Sequence, residues 1–301
     1  MWYKIAICLA VSSSLNIIHA QQSQPNRKLN FDNGERIEGK VQPQIVSSGQ
    51  KLFATIDPGT VLGSAPQIVS SDCYSPPACL KVSMAPSAPN SKKNKILFNV
   101  WSHHKIVPGG KDGIIRINDN RETNIRFAMK LGQHYSTPIH SLLHFQVSQT
   151  LNNKSLSANM SYVPAGPVLS INIVPLSRRA IKNPEYQEFV LSIRYPGANK
   201  FKFYDLRDSS VIYRGKVKVG DWNRFRVSFT FKPSGDQPNG NLKFFLNGKQ
   251  KVAYNGPIGF SPQKFGSSDT LGIDLGIYRT PDRTGRQIVY FDDVEIWRST
   301  K

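Results

Sequence analysis

The 301-residue sequence predicts an all-β fold, a sandwich or jelly roll of two stacked antiparallel sheets. Three observations predict it. Short segments of period-2 alternation recur along the chain, Gly-, Pro-, Asn- and Ser-rich clusters separate them, and apolar residues nowhere hold a helical period for three turns. Only residues 179–188 have room for a short helix. No internal repeat and no boundary is visible, so residues 21–301 are taken as one domain.

Residues 1–20 precede that domain and read as a secretory signal peptide. Lys4 supplies the positive end, residues 5–11 the apolar run, and Ser-rich sequence leads to Ala20. No later apolar run is long enough for a spanning helix, so an exported, extracellular and monomeric protein is expected. Cleavage removes Cys8 and leaves Cys73 and Cys79, a pair close enough in sequence for one local disulfide in an oxidising compartment.

Residues 21–30 are a polar lead-in. Strands are then expected at 41–46, 51–56, 96–101 and 114–117, with turn-rich sequence at 57–66 and 109–113 and a basic loop at 85–95. In 123–130, Ile125, Phe127 and Met129 alternate with Asn124, Arg126 and Lys130. In 142–149, Leu143, Phe145 and Val147 alternate with His144, Gln146 and Ser148. Further strands are expected at 168–174, 188–195, 200–204, 211–217, 224–232 and 241–246. Asn247-Gly248 follows as a type I′ hairpin turn. Residues 271–279 place Ile273, Leu275 and Ile277 opposite Asp274, Gly276 and Tyr278, and residues 287–297 form the last strand.

Charge narrows the partners. Thirty-nine Lys and Arg face 20 Asp and Glu, a formal net charge of +19. Such an excess favours polyanions. For an exported protein an acidic polysaccharide is the natural one, and no nucleic acid is expected. If the apolar faces share one core, Asn124, Arg126, His144, Gln146, Asp274 and Tyr278 could line one cleft. Arg and amide groups suit a sugar carboxylate, and a His or Tyr can move its α-proton. The plainer alternative is a set of half-buried strands with ordinary polar outer faces.

Other chemistries lack their residues. There is no Gly-x-Ser-x-Gly elbow, no phosphate-binding glycine loop and no free mature cysteine. His134 and His140 fall in a loop. Asp292 and Asp293 are adjacent, so they face opposite ways and do not form a glycosidase pair. They could instead hold a structural Ca²⁺ or brace a turn; no cofactor is required and no other metal site is expected. Asn153 and Asn159 open glycosylation sequons.

Four segments occur in an informative order: Trp222-Asn223-Arg224-Phe225-Arg226-Val227, Gly240 through Lys249 with its Asn-Gly turn, Leu275-Gly276-Ile277-Tyr278-Arg279, and Phe291-Asp292-Asp293-Val294. This series resembles the jelly-roll polysaccharide lyases, the group with heparin lyase, glucuronan lyase and related alginate lyases. Phe145-Gln146-Val147-Ser148 looks like their Gln-x-His strand, and Arg121-Glu122 is loosely similar to their Arg/Glu strand. The resemblance covers residues 115–298 and is diagnostic over about the last 80. It implies a concanavalin-like β-jelly roll with a concave cleft, and β-elimination in a uronic-acid-containing polysaccharide. By position Gln146 matches the carboxylate-binding Gln and Tyr278 the catalytic Tyr, with His103 or His144 as partner base. His103 is preferred, because alternation from Phe98 and Val100 turns it away from the core. Arg126, Asn124 and Arg279 are candidate substrate contacts, although alternation puts Arg279 on the core side or at the strand end. Two positions depart from the pattern: Ser148 stands where His is expected, and Asp274 where many relatives have Lys. These departures support an alternative, a non-catalytic lectin-like carbohydrate-binding protein on the same fold. A basic glycan-binding structural protein without a formed cleft is a third reading.

Overall fold

Alternation of β-branched and aromatic residues with polar ones leaves each strand one face to bury. The computed structural model shows how those faces are paired. It describes residues 27–32, 34–38, 44–47, 50–56, 64–87, 94–101, 115–116, 120–151, 166–176, 184–195, 210–232, 240–261, 267–283 and 285–299. Residues 1–26, His103, Asn153, Asn159 and the expected strand at 200–204 lie outside the described residues.

In chain order the strands are β1 (Arg27–Leu29), β2 (Arg36–Glu38), β3 (Gln44–Ser47), β4 (Gln50–Ile56), β5 (Ala65–Val69) and β6 (Cys79–Met84). Next come β7 (Asn94–Trp101), β8 (Ile115–Arg116), β9 (Thr123–Leu131), β10 (Leu142–Leu151), β11 (Gly166–Ile173) and β12 (Tyr186–Ile193). The last are β13 (Ser210–Lys218), β14 (Trp222–Thr230), β15 (Gly240–Leu246), β16 (Lys249–Gly256), β17 (Ser267–Arg279) and β18 (Gln287–Arg298). An 8-stranded sheet, sheet I, runs β16-β15-β14-β9-β18-β6-β5, with β1 also on β18. A 10-stranded sheet, sheet II, runs β13-β12-β11-β10-β17-β7-β4-β3-β2, with β8 on β17. All pairings are antiparallel.

The inner faces meet in one aromatic-rich core. Phe127 of sheet I stacks on Phe145 of sheet II at 5.4 Å between centroids and on Phe225 of its own sheet at 5.3 Å. Phe189 of sheet II meets Phe225 and Phe244 edge-on. Asn247 and Gly248 both take positive φ, 51° and 79°, as the expected hairpin turn requires.

Several details differ from expectation. Glu188, the end of the possible helix, lies in β12, because its segment alternates Gln187, Phe189 and Leu191 into the interior. Strand β6 lies in sequence given no strand, although Leu80, Val82 and Met84 are buried and alternate with the half-buried Lys81 and Ser83. The Cys73–Cys79 disulfide closes the loop before it. Asp292 accepts hydrogen bonds from the Ser75 backbone N–H and hydroxyl, and Asp293 accepts from the same hydroxyl. The aspartate pair thus braces the disulfide loop. Among the described residues no group of three His, Cys, Asp or Glu side chains gathers to hold a metal ion. No described helix is long and apolar enough to cross a membrane.

Phe127 sits where both sheets touch, so Phe127→Ala is expected to cost about 4 kcal/mol. Urea unfolding followed by tryptophan fluorescence measures it; a loss under about 1 kcal/mol would contradict this packing.

Candidate functional site

Strand β17 lies at the centre of sheet II, between β10 and β7. Ile273, Leu275 and Ile277 point into the core, so Asp274, Gly276 and Tyr278 belong to the outer face. Cross-strand register then builds two rows on that face. In the first, Ser170 of β11 pairs with Gln146, Gln146 with Asp274, and Asp274 with Asn99 of β7. In the second, Leu143 pairs with Tyr278 and Tyr278 with Lys95. Four strand steps along β17 separate the rows, roughly 13 Å.

The first row is a closed polar network. Gln146 Nε2 donates to Asp274 Oδ2 at 2.6 Å, and Asn99 Nδ2 donates to Oδ1. Asp274 is only 4% exposed. Burial pushes its carboxyl up to about 6, against the lowering effects of the Gln146 hydrogen bond, the Lys95 charge and a Ser148 hydrogen bond. The two departures from the lyase pattern are therefore partners: the Ser148 hydroxyl serves the Asp274 carboxylate.

In the second row Tyr278 is buried apart from the main core, in a cluster with Leu97 and Leu143. The Lys95 ammonium lies 5.8 Å from its ring centroid. Lys95 and Asn99 were missed as site residues. Their signal was present, since both alternate against Ile96, Phe98 and Val100, but Leu97 interrupts the polar face.

Not every candidate joins this face. Asn124 and Arg126 sit on β9 of sheet I, whose inner face carries Ile125 and Phe127. Their side chains therefore leave the opposite side of the sandwich. Asn124 accepts from the Ser228 hydroxyl at 2.5 Å, and Arg126 pairs with Glu295 at 2.6 Å. The expected common cleft is corrected on this point: alternation tells inside from outside, not which sheet a strand joins. Arg279 is 1% exposed. Its guanidinium donates to the carbonyls of Gly285 at 2.9 Å and Ala85 at 2.5 Å, so it ties two loops together inside the fold.

His144 is also withdrawn. The β10–β17 register shifts between Leu143 and Phe145, so strict alternation breaks at His144, which is fully buried. Its Nδ1 lies 2.8 Å from the Gly276 carbonyl oxygen, which can only accept. Nε2 then accepts from the Tyr135 hydroxyl at 3.3 Å. Burial lowers its pKa to about 4, so the ring is neutral at pH 7. Gly276 itself has φ 146°, and a Cβ there would collide with the Ile96 carbonyl oxygen. His144 and Gly276 together hold the irregularity beside Tyr278.

Among solved structures, the chain is similar to an endo-β-1,4-glucuronan lyase from the fungus Trichoderma reesei. The match spans 91% of this chain and 95% of that one, at 12% identity and a TM-score of 0.56. The fold is that of the jelly-roll polysaccharide lyases. Alginate lyase Aly36B in complex with an alginate trisaccharide matches at 9% identity over 84% of this chain and 100% of that one, TM-score 0.47. Alginate lyase AlyC3 matches at 12% identity over 73% and 75%, TM-score 0.43. No family model and no curated protein sequence matches the chain.

The burial of His144 has a pH signature. A folded pKa near 4 against 6.5 unfolded means that the unfolded chain takes up the proton first. This contribution to stability is present above pH 6.5 and is lost as pH falls toward 4, by about 3 kcal/mol. The stability difference between wild type and His144→Gln should shrink accordingly between pH 6.5 and 4 in denaturant titrations. A constant difference would show that the imidazole is not held neutral.

Proposed function

We propose that this protein is an exported polysaccharide lyase that cleaves a uronic-acid-containing anionic polysaccharide by β-elimination. One observation carries the reading: Tyr278 and Gln146 share the outer face of sheet II on adjacent central strands, in a fold also found in a glucuronan lyase. In the reaction a base takes the proton α to the uronate carboxylate. The electron pair forms the new C4–C5 double bond, the C4–O bond breaks, and the departing oxygen receives a proton. The Tyr278 phenol is the acid and, once deprotonated, a competent base. Lys95 brings positive charge beside that phenol, where the carboxylate-stabilised anion would gather. His103 is the partner base, since His144 is committed to Gly276 and Tyr135. Gln146 and Asn99, one row further along the same face and hydrogen-bonded to Asp274, are placed to meet the carboxylate of another uronate along the polymer.

The test offers glucuronan, alginate and heparin and follows the ultraviolet absorbance of the unsaturated uronate. Tyr278→Phe is expected to lose at least about 100-fold in rate while keeping polymer binding; full activity in that variant would sink the assignment.

Asp274 favours a second reading. It already holds the Gln146 amide and, once ionised, opposes a substrate carboxylate. A lectin-like protein that binds glycan without cleaving it fits that observation, and binding with no absorbance rise on any polymer would select it. For the lyase, the same residue predicts a limb in the pH profile. Uronate turnover should fall as pH rises through about 6, where Asp274 becomes charged. Asp274→Asn should flatten that limb in initial rates measured from pH 5 to 8, and an unchanged limb would place its origin elsewhere.

A further inference from the structure

The outer face of sheet I, on the opposite side of the sandwich from Tyr278, carries an aromatic and basic row. Register aligns Trp222 of β14 with Lys130 of β9, Lys130 with Tyr290 of β18, and Tyr290 with Lys81 of β6. Three strand steps make this row about 14 Å long. The Lys130 ammonium lies 5.0 Å from the Trp222 ring centroid and 4.6 Å from that of Tyr290. The Lys81 ammonium lies 5.9 Å from the Tyr290 ring on the other side. Tyr74 extends the row at the Trp222 end, with centroids 5.8 Å apart in an edge-on contact.

The row is braced from below. Lys130, 2% exposed, pairs with the Asp72 carboxylate at 2.7 Å and donates to the Asp72 carbonyl at 2.6 Å. The Trp222 indole N–H donates to the same carbonyl at 3.1 Å. The Cys73–Cys79 disulfide and the hydrogen bonds from Ser75 to Asp292 and Asp293 hold the loop that carries Tyr74. Tyr74 is 37% exposed, and Trp222 and Tyr290 are half-buried. Lys130 is thus spent on positioning the rings, and the accessible charge comes from Lys81 and from Arg224, which is exposed two residues after Trp222. Among the described residues neither has an ion-pair partner.

We infer that this row is a second glycan-binding surface, which takes a segment of an acidic polysaccharide with sugar rings against Tyr74 and Trp222 and carboxylates toward Lys81 and Arg224. Aromatic faces set in a polar surface match the C–H faces of a pyranose chain. The cations select a uronate polymer over a neutral one. A core packing role needs none of these rings at the surface, nor a lysine wedged between two of them. The surface is independent of catalysis: it holds the polymer on the side away from the Tyr278 face.

Electrophoresis of the full chain through native gels containing alginate, glucuronan or a neutral glucan tests this directly. The wild type should be retarded by the two acidic polymers and not by the neutral glucan. Tyr74→Ala and Lys81→Glu, both at accessible positions, should each weaken the apparent affinity about tenfold, with the thermal transition unchanged. Trp222→Ala should weaken retardation at least as much as Tyr74→Ala, down to what the Tyr278 face alone supports, and Tyr74→Ala keeps the test valid if that variant fails to fold. Equal retardation of Tyr74→Ala, Lys81→Glu and wild type would overturn the inference, as would no retardation of the wild type or equal retardation by the neutral glucan. Lyase activity is read separately from absorbance. A protein with no lyase activity whose retardation still depends on Tyr74 keeps this surface and loses the elimination mechanism.

Discussion

Packing of Phe127 against Phe145 and Phe225 is the contact on which the remaining geometry depends. It joins the two sheets through their central strands. Because side chains alternate, burying these rings also decides where the residues after Phe145 and before Phe127 point. With Phe127 inward, Arg126 must leave sheet I outward. With Phe145 inward, Gln146 must leave sheet II on the far side. The aromatic core therefore sends the polar side chains of β9 and β10 to opposite sides of the sandwich.

On the sheet II surface, the decisive local feature is the irregularity between β10 and β17. His144 supplies an N–H to the Gly276 carbonyl, and Gly276 tolerates a backbone conformation that leaves no room for a Cβ. These two residues hold the strand geometry beside Tyr278 from inside the fold. A histidine that looks like a base in sequence is here a neutral, fully buried brace. Beside it, Asp274 gathers Gln146, Asn99 and Ser148 into one network. A buried carboxyl without partners would be costly; these donors offset part of that cost, while burial still pushes the Asp274 carboxyl up to about 6.

On the sheet I surface the arrangement is reversed. There a lysine is buried and the rings are exposed. Asp72 neutralises Lys130, which lets the ammonium sit between Trp222 and Tyr290 at little electrostatic cost. The disulfide loop carries Tyr74 and directly follows Asp72, so a covalent constraint far from β17 shapes this face.

Period-2 alternation and turn chemistry made the all-β class, the Asn247-Gly248 hairpin and the outward direction of Asp274, Gln146 and Tyr278 readable from sequence, because those are local properties of an extended chain. Strand β6 was equally regular, yet the cysteines and prolines before it hid the pattern. What alternation cannot carry is the assignment of a strand to a sheet, since both sheets bury the same kind of residue. That assignment separated Asn124 and Arg126 from Tyr278. The loss of strict alternation at His144 and the loop-tying role of Arg279 depend on contacts with Gly276, Tyr135, Ala85 and Gly285. Those contacts join parts of the chain that come together only when the two sheets close on the core.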